Sequence, residues 1–359
     1  MFSNEALSVV IGLTFIYLLY SLLATIIQEI VATNIQLRGL ILRYSLFVIL
    51  DHATNKKKSF STIFYNHPLI KILKTGNFIS GCPSYIEPDT FSRVITDLLR
   101  GKNMKPGDPI KYQIQDSLDK KELAWDKVKI DNETIDYLNT IWADSQGDVQ
   151  KFKALLEDWF NKMMVKTSGW YKQWTQLMLM IIGLTIATVF NVDTISIVKK
   201  LENNPTLTEK IVSQANDFVK AHPNLEQELQ DSKDAIAKMQ SLSVAGKDSL
   251  AANANAQYND AKHLKDSLVS QAKTLVENDI RKVNDLLGLG WKKGFMNFEK
   301  DADIGSTIGG WILTALAISL GAPFWFDLLN KLMQLRGAIA SKRKEDSDTT
   351  TIKITDRVG

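Results

Sequence analysis

A single cysteine, Cys82, leaves the chain without an internal disulfide framework or a cysteine-built metal cluster. Its four histidines, His52, His67, His222 and His263, are scattered, and none stands at metal-ligand spacing. Neither sign of charge dominates. With 43 Lys+Arg against 40 Asp+Glu, the 359 residues carry a formal +3, and no basic stripe with interleaved aromatics argues for nucleic acid. The motifs HExxH, GxSxG and GxGxxG are all missing. Ala245-Gly246-Lys247-Asp248-Ser249 looks superficially like a phosphate loop, but Ser241 stands where the leading glycine is required and no strand precedes it. Nothing in the sequence orients Cys82 and His67 as a thiol–imidazole pair. The paired carboxylates Glu157-Asp158 and Glu226/Glu228 fall on polar helix faces. No catalytic, cofactor-binding or metal residue is implied, and the expectation is a protein that is not an enzyme.

What the chain has in quantity is uncharged apolar sequence. A mean hydropathy of -0.09 averages three apolar runs with long polar segments, and so conceals them. Leu7 to Ile27 has no charge and is long enough for a membrane helix, without the basic start or cleavage site of a signal peptide. Trp174 to Phe190 is the second run, which Asn191 to Val198 can extend. Ile304 to Phe326 is the third and the most distinctive. Small residues recur along it, and Gly309, Gly310, Ala317, Gly321 and Ala322 are the candidates for close helix packing. Pro323 removes a backbone donor and is expected to kink this helix near its end. Trp170, Trp174, Trp291, Trp325 and Asp327 are expected at the membrane–water interface. Glu29 and Asp193 are the acidic residues that fall at membrane depth or at a helix end.

Between the runs the pattern is helical. Gln36 to Leu50 carries Arg38 and Arg43 on one side and reads as an amphipathic helix lying in the interface, followed by the basic run Lys56-Lys57-Lys58. Asp89-Thr90 is expected to cap a helix through Leu99 with Phe91, Val94, Ile95, Leu98 and Leu99 on one face. Gly147-Asp148 opens another, with a stripe of Phe152, Leu155, Leu156, Trp159, Phe160, Met163 and Met164 that reads as packing surface. Leu225 to Leu242 and Asp248 to Leu287 form a thin heptad-like seam, read as an antiparallel hairpin.

The fold class expected is therefore all-α, an integral membrane protein with three transmembrane helices. Residues 1–33 hold the first, 34–173 a cytoplasmic helical domain with interfacial amphipathic helices, and 174–198 the second. Residues 199–303 form an extracytoplasmic coiled-coil hairpin, 304–330 the third span, and 331–359 a basic, partly disordered cytoplasmic tail. The basic clusters Arg38/Arg43/Lys56–58 and Lys331/Arg336/Lys342–344 set that orientation, because Lys and Arg stay on the cytoplasmic side. The partners expected are membrane lipids, and other proteins or further copies of the chain through the membrane helices and the hairpin. A structural or interaction protein fits this best, and a homo-oligomeric channel or pore is the alternative.

Several blocks point to a common relationship. They are IGLTFIYLLYSLLATIIQEIVA with LRGLILR, the FYNHPLI and PSYIEPDTF loops, LEDWFNKMMVKTSGWYKQWTQ leading into NVDTI, and the closing LTALAISLGAPFWFDLLNKLMQLRG. In these the chain resembles an uncharacterised family of bacterial inner-membrane proteins. The resemblance runs in order over most of residues 5 to 337 and omits the segment from Leu201 to Leu287. It implies a multi-span protein of the bacterial inner membrane and transfers no functional residue.

Overall fold

The structure, a computed structural model, describes residues 4–51, 59–73, 82–83, 85–102, 109–225, 227, 231, 263, 266–291 and 304–355. It is predominantly helical, as expected, with one minimal sheet of two antiparallel two-residue strands, β1 (Glu122–Leu123) and β2 (Val128–Lys129). The chain divides into two compact units, one of Met1–Ile30, Thr175–Ala235 and Lys262–Gly359, the other of Val31–Trp174 and Ile236–Ala261. The hairpin seam between Leu225 and Leu264 and the basic residues Lys56–58, Lys292 and Lys293 lie largely or wholly outside the described residues.

The second unit packs a set of short helices onto the first half of a long one. They are α2 (Leu37–Asp51), α3 (Phe60–Asn66), α4 (Pro68–Lys71), α5 (Pro88–Arg100), α6 (Ile110–Lys120) and α7 (Asn132–Asp144), with the start of α8 (Val149–Val189). The stripe on α8 is core, as its helical spacing requires: Phe152, Leu156, Phe160 and Met163 are buried among Phe64, Phe91, Ile95 and Leu98. Phe91 stacks on Phe160 at 4.7 Å between ring centroids. Asp148 caps α8 by accepting from the Gln150 and Lys151 N–H groups, which holds its carboxyl below the usual range. The helix over α5 starts one residue earlier than Asp89, at Pro88, because proline is suited to the first turn and needs no partner there. The apolar side of α2 is not turned to a bilayer. Leu42, Leu46 and Leu50 join the protein core, leaving Leu40, Arg43 and Tyr44 exposed.

Asp51 at the end of α2 fixes the entry to α3. Its Oδ1 accepts from the Phe60 N–H at 2.7 Å and its Oδ2 from the Ser61 N–H at 3.2 Å, with the Ser61 hydroxyl donating to the same oxygen. These are donors of a helix N-terminus that would otherwise be unsatisfied in the interior.

The first unit is built around α1 (Asn4–Asn34), whose apolar character extends all round. Glu5–Ala32 is the one described helix long and apolar enough by itself to cross a membrane, and there are up to three crossings if each of two bent helix pairs is one. Yet 83% of its most apolar window is buried inside the protein. An all-round apolar helix fits a protein core as well as a bilayer, and here neighbouring helices enclose it. Helix α10 (Pro205–Ala221) lies on it: Phe218 meets Phe15 at 5.7 Å, and a Cβ at Gly12 would touch Ile211 and Leu201. Residues 201–221 therefore pack against α1 and are not part of a projecting hairpin. On α10, Glu209, Lys210, Asp217 and Lys220 stay exposed. A one-turn π-helix at Val276–Ile280 leads into α11 (Arg281–Leu287), where Asn284 accepts from the Tyr20 hydroxyl at 2.6 Å.

Three boundaries differ from the sequence expectation. No break separates the amphipathic stripe from the second apolar run, since α8 continues through Trp170 and Trp174 to Val189. That run does not extend straight through Val198 either, for α9 (Thr194–Asn203) follows at a 56° bend. The third run is two helices, α12 (Ile304–Ser319) and α13 (Ala322–Thr355), meeting at 91°. Pro323 does not kink a continuing helix. Gly321 turns the chain at φ +86, and Pro323 sits in the first turn of α13, where its missing N–H costs nothing. The tail expected to be disordered from Lys342 continues α13 to Thr355.

Candidate functional site

The two helix breaks of the first unit meet at one side chain, Tyr17 of α1. At the first break, Asn191 adopts a left-handed conformation with φ 50, and the Val192 N–H reaches back to Ala187 O at 2.8 Å, closing the end of α8. Asp193 then caps α9, its Oδ1 accepting from the N–H groups of Ile195 at 2.9 Å and Ser196 at 3.3 Å. Of the roles open to Asp193, capping is the one it fills.

Three hydroxyls tie this break to its neighbours. Thr314 of α12 lies 2.8 Å from Thr194 Oγ1, and Tyr17 OH lies 2.9 Å from the same oxygen on the other side. Thr314 Oγ1 also approaches Val192 O at 2.7 Å and Gly310 O at 2.8 Å. The Tyr17 ring packs on Trp325 at 4.7 Å, and Trp325 Nε1 donates to Ala317 O at 2.7 Å across the second break. The carbonyl that α12 leaves unpaired at its end is thereby satisfied. Trp325 is thus buried rather than interfacial, because its ring and its N–H both have partners inside the bundle.

The small residues of α12 have separate roles. Gly310 faces the Asp193 carboxylate so closely that a Cβ would overlap it, whereas Gly309 has open space around it. Ala322 is fully buried, Ala317 supplies its carbonyl, and Gly321 makes the turn. Gly183 of α8 completes the packing, since a Cβ there would press on Ile318 at 3.1 Å and Ala315 O at 3.3 Å. A second cluster closes the far side of the first break. Trp291 Nε1 donates to Thr188 O at 2.9 Å, Trp311 Nε1 to Asn191 Oδ1 at 3.3 Å, and Asn191 Nδ2 to Gly290 O at 3.3 Å.

Outward, the same two helices are apolar. Leu177, Met180, Ile181, Leu184 and Val189 on α8 are exposed, as are Ile304, Ile308, Ile312, Leu313, Leu316 and Leu320 on or beside α12. Both exposed runs are short. The 16 residues of α12 rise about 24 Å, less than a hydrocarbon core of roughly 30 Å. The long apolar helix is enclosed, and the exposed ones end in breaks.

In the other unit, the expected interface residues Trp170 and Arg38 stand in one aromatic–basic group. Tyr44 packs on Trp170 at 5.8 Å, Lys166 lies over Trp170 at 5.6 Å, and Arg38 over Tyr171 at 5.2 Å. Trp174 is exposed, Asp327 is exposed and paired with Lys331 at 2.6 Å, and Glu29 is half-buried near the end of α1. His67 caps α4, its Nδ1 accepting from the Leu69 N–H at 3.4 Å, with Trp125 at 4.9 Å and Asp97 Oδ2 3.8 Å from Nε2. Burial lowers its pKa, against the opposing pull of Asp97. Arg43 Nη1 lies 3.8 Å from the buried Cys82 sulfur. Among the described residues, no group of three His, Cys, Asp or Glu side chains could hold a metal ion.

Compared with known proteins, the chain matches no family model, no curated protein and no solved structure.

Tyr17, Thr194 and Thr314 were not singled out by the sequence. Their only sequence signal is a single hydroxyl inside an apolar run, and the positions that meet are 120 residues or more apart.

Proposed function

We propose that this protein is a structural or interaction component of the bacterial inner membrane, one that anchors or organises a membrane complex. Its helical bundle embeds in lipid by the outer faces of α8 and α12, and residues 34–173 form a helical domain at the cytoplasmic surface. The observation that carries this reading is the row of exposed apolar side chains from Leu177 to Val189 and from Ile304 to Leu320, without a charged residue among them. An apolar surface of this kind is stable against lipid or another protein and not against water. The aromatic–basic group of Arg38, Tyr44, Lys166, Trp170 and Tyr171 is of the type that sits among head groups. The resemblance to inner-membrane proteins supports the compartment, and the basic clusters support an orientation with the N-terminus and residues 199–303 outside. The hydroxyl chain of Tyr17, Thr194 and Thr314 has partners on every oxygen, which favours packing over ion conduction.

A direct test places a fluorophore on cysteines introduced at Ile181 or Ile312, with Leu19 as an enclosed control, in the full chain reconstituted into vesicles. Quenching by brominated acyl chains at both outer positions is expected. Quenching by aqueous iodide alone would remove the membrane reading. Native mass after mild-detergent purification from the host tests the role: a stoichiometric assembly with other proteins is expected, and a homo-oligomer alone would favour the pore.

A further inference from the structure

A polar cleft of about 560 Å³ opens between α9 and the start of α12. Ser196, Lys199, Lys200 and Asn203 line one wall, and Ser306 and Thr307 of the first α12 turn line the other. Lys200 is fixed there by donating to Leu287 O at 2.8 Å. Lys199 is exposed and forms no ion pair among the described residues. The one carboxylate at the cleft, Asp193, is turned toward the N–H groups of Ile195 and Ser196 that it caps. Two ammonium groups, three hydroxyls and the positive end of a 16-residue helix therefore surround the space. Hydroxyls and ammonium groups together suit a tetrahedral oxyanion, to which each can donate. None of the lining residues is aromatic, so there is no surface on which a nucleobase would stack.

The surroundings narrow the source. Ile304 and Ile308 flank Ser306 and Thr307 on α12 and are exposed, and the apolar row continues through Ile312 and Leu316. A ligand with its anion in the cleft has an apolar track beside it. We propose that the cleft binds a phosphate group presented as the head of an anionic phospholipid, with the acyl chains along the outer face of α12. This deepens the membrane reading above and rests on it for the lipid source.

The test uses the full chain in mild detergent and follows its thermal midpoint. Short-chain phosphatidylglycerol is the probe, short-chain phosphatidylcholine the zwitterionic control, and glycerol phosphate the soluble anion. Phosphatidylglycerol at saturation should raise the midpoint by roughly 5 °C, and phosphatidylcholine by much less. Lys199→Gln, at an exposed position, should lose at least half of that shift, and Ser306→Leu, which narrows the cleft, should lose it too. Equal shifts from both lipids, or undiminished shifts in both variants, would overturn the site. An equal shift from glycerol phosphate would overturn the lipid source. Acyl-chain quenching at Ile181 and Ile312 without head-group selectivity would sink this inference and leave the membrane reading standing. Loss of that quenching would sink the membrane reading, while the midpoints in detergent still report on the anion.

Discussion

The Asp193 carboxylate occupies the space that any side chain at residue 310 would need. The aspartate caps α9, and Gly310 is the point at which α12 passes it, with the Asp193 Cα only 3.3 Å from where a Cβ would be. The contact makes neighbouring glycines unequal. Gly310→Ala must displace the cap or separate the helices, and should cost about 1–3 kcal/mol, as overpacking does. Gly309→Ala meets open space and should be neutral or slightly stabilising through helix propensity. Thermal unfolding of both variants in detergent checks this. Equal behaviour would mean that Asp193 and Gly310 are not packed together.

The right-angle turn between α12 and α13 depends on Gly321 rather than on Pro323. An alanine at φ +86 pays the left-handed penalty, so Gly321→Ala should destabilise by about 1–2 kcal/mol. Pro323→Ala leaves the turn intact and should change stability by less than about 1 kcal/mol. A larger loss for the proline variant in a denaturation series would refute this assignment.

Asp51→Ala removes the acceptor for two N–H groups at the buried start of α3. A loss of about 2–3 kcal/mol is expected, since hydrogen bonds to a charged group are the stronger kind and the donors stay buried. Asp51→Asn should recover part of it. Protease protection of residues 59–73, measured beside global unfolding, would locate the effect.

His67 gives the helical domain a pH dependence of definite sign. Burial lowers its folded pKa below the usual value near 6.5, so the unfolded chain binds the proton more readily. The contribution to stability is complete above that value and is lost as pH falls toward the lowered one. His67→Asn can keep the cap on α4 but does not titrate. Midpoints from pH 8 to pH 5.5 should therefore fall more steeply for the native protein than for this variant. Parallel curves would exclude the role.

Much of the local structure was legible. Asp148, the α5 face from Phe91 to Leu99 and the α8 stripe from Phe152 to Met164 follow from capping chemistry and the helical period, both of which act within a few residues. The helix breaks were less so. The chain's own Asn191 and Gly321 permit left-handed turns, but permission becomes a turn only where partners such as Ala187 O, Thr314 and Trp325 satisfy the exposed groups.

By itself the sequence determined that the protein is helical and that three of its stretches are too apolar for water. Tertiary structure decided which of them is enclosed and which is turned outward. Leu7 to Ile27 is the most continuous run, yet α10 and its neighbours cover it, while the shorter α8 and α12 carry the exposed apolar face. The reason is physical. Hydropathy belongs to a segment and reads alike for lipid and for protein interior, whereas burial belongs to its neighbours, which here come from positions up to 264 residues away, as Tyr20 and Asn284 do.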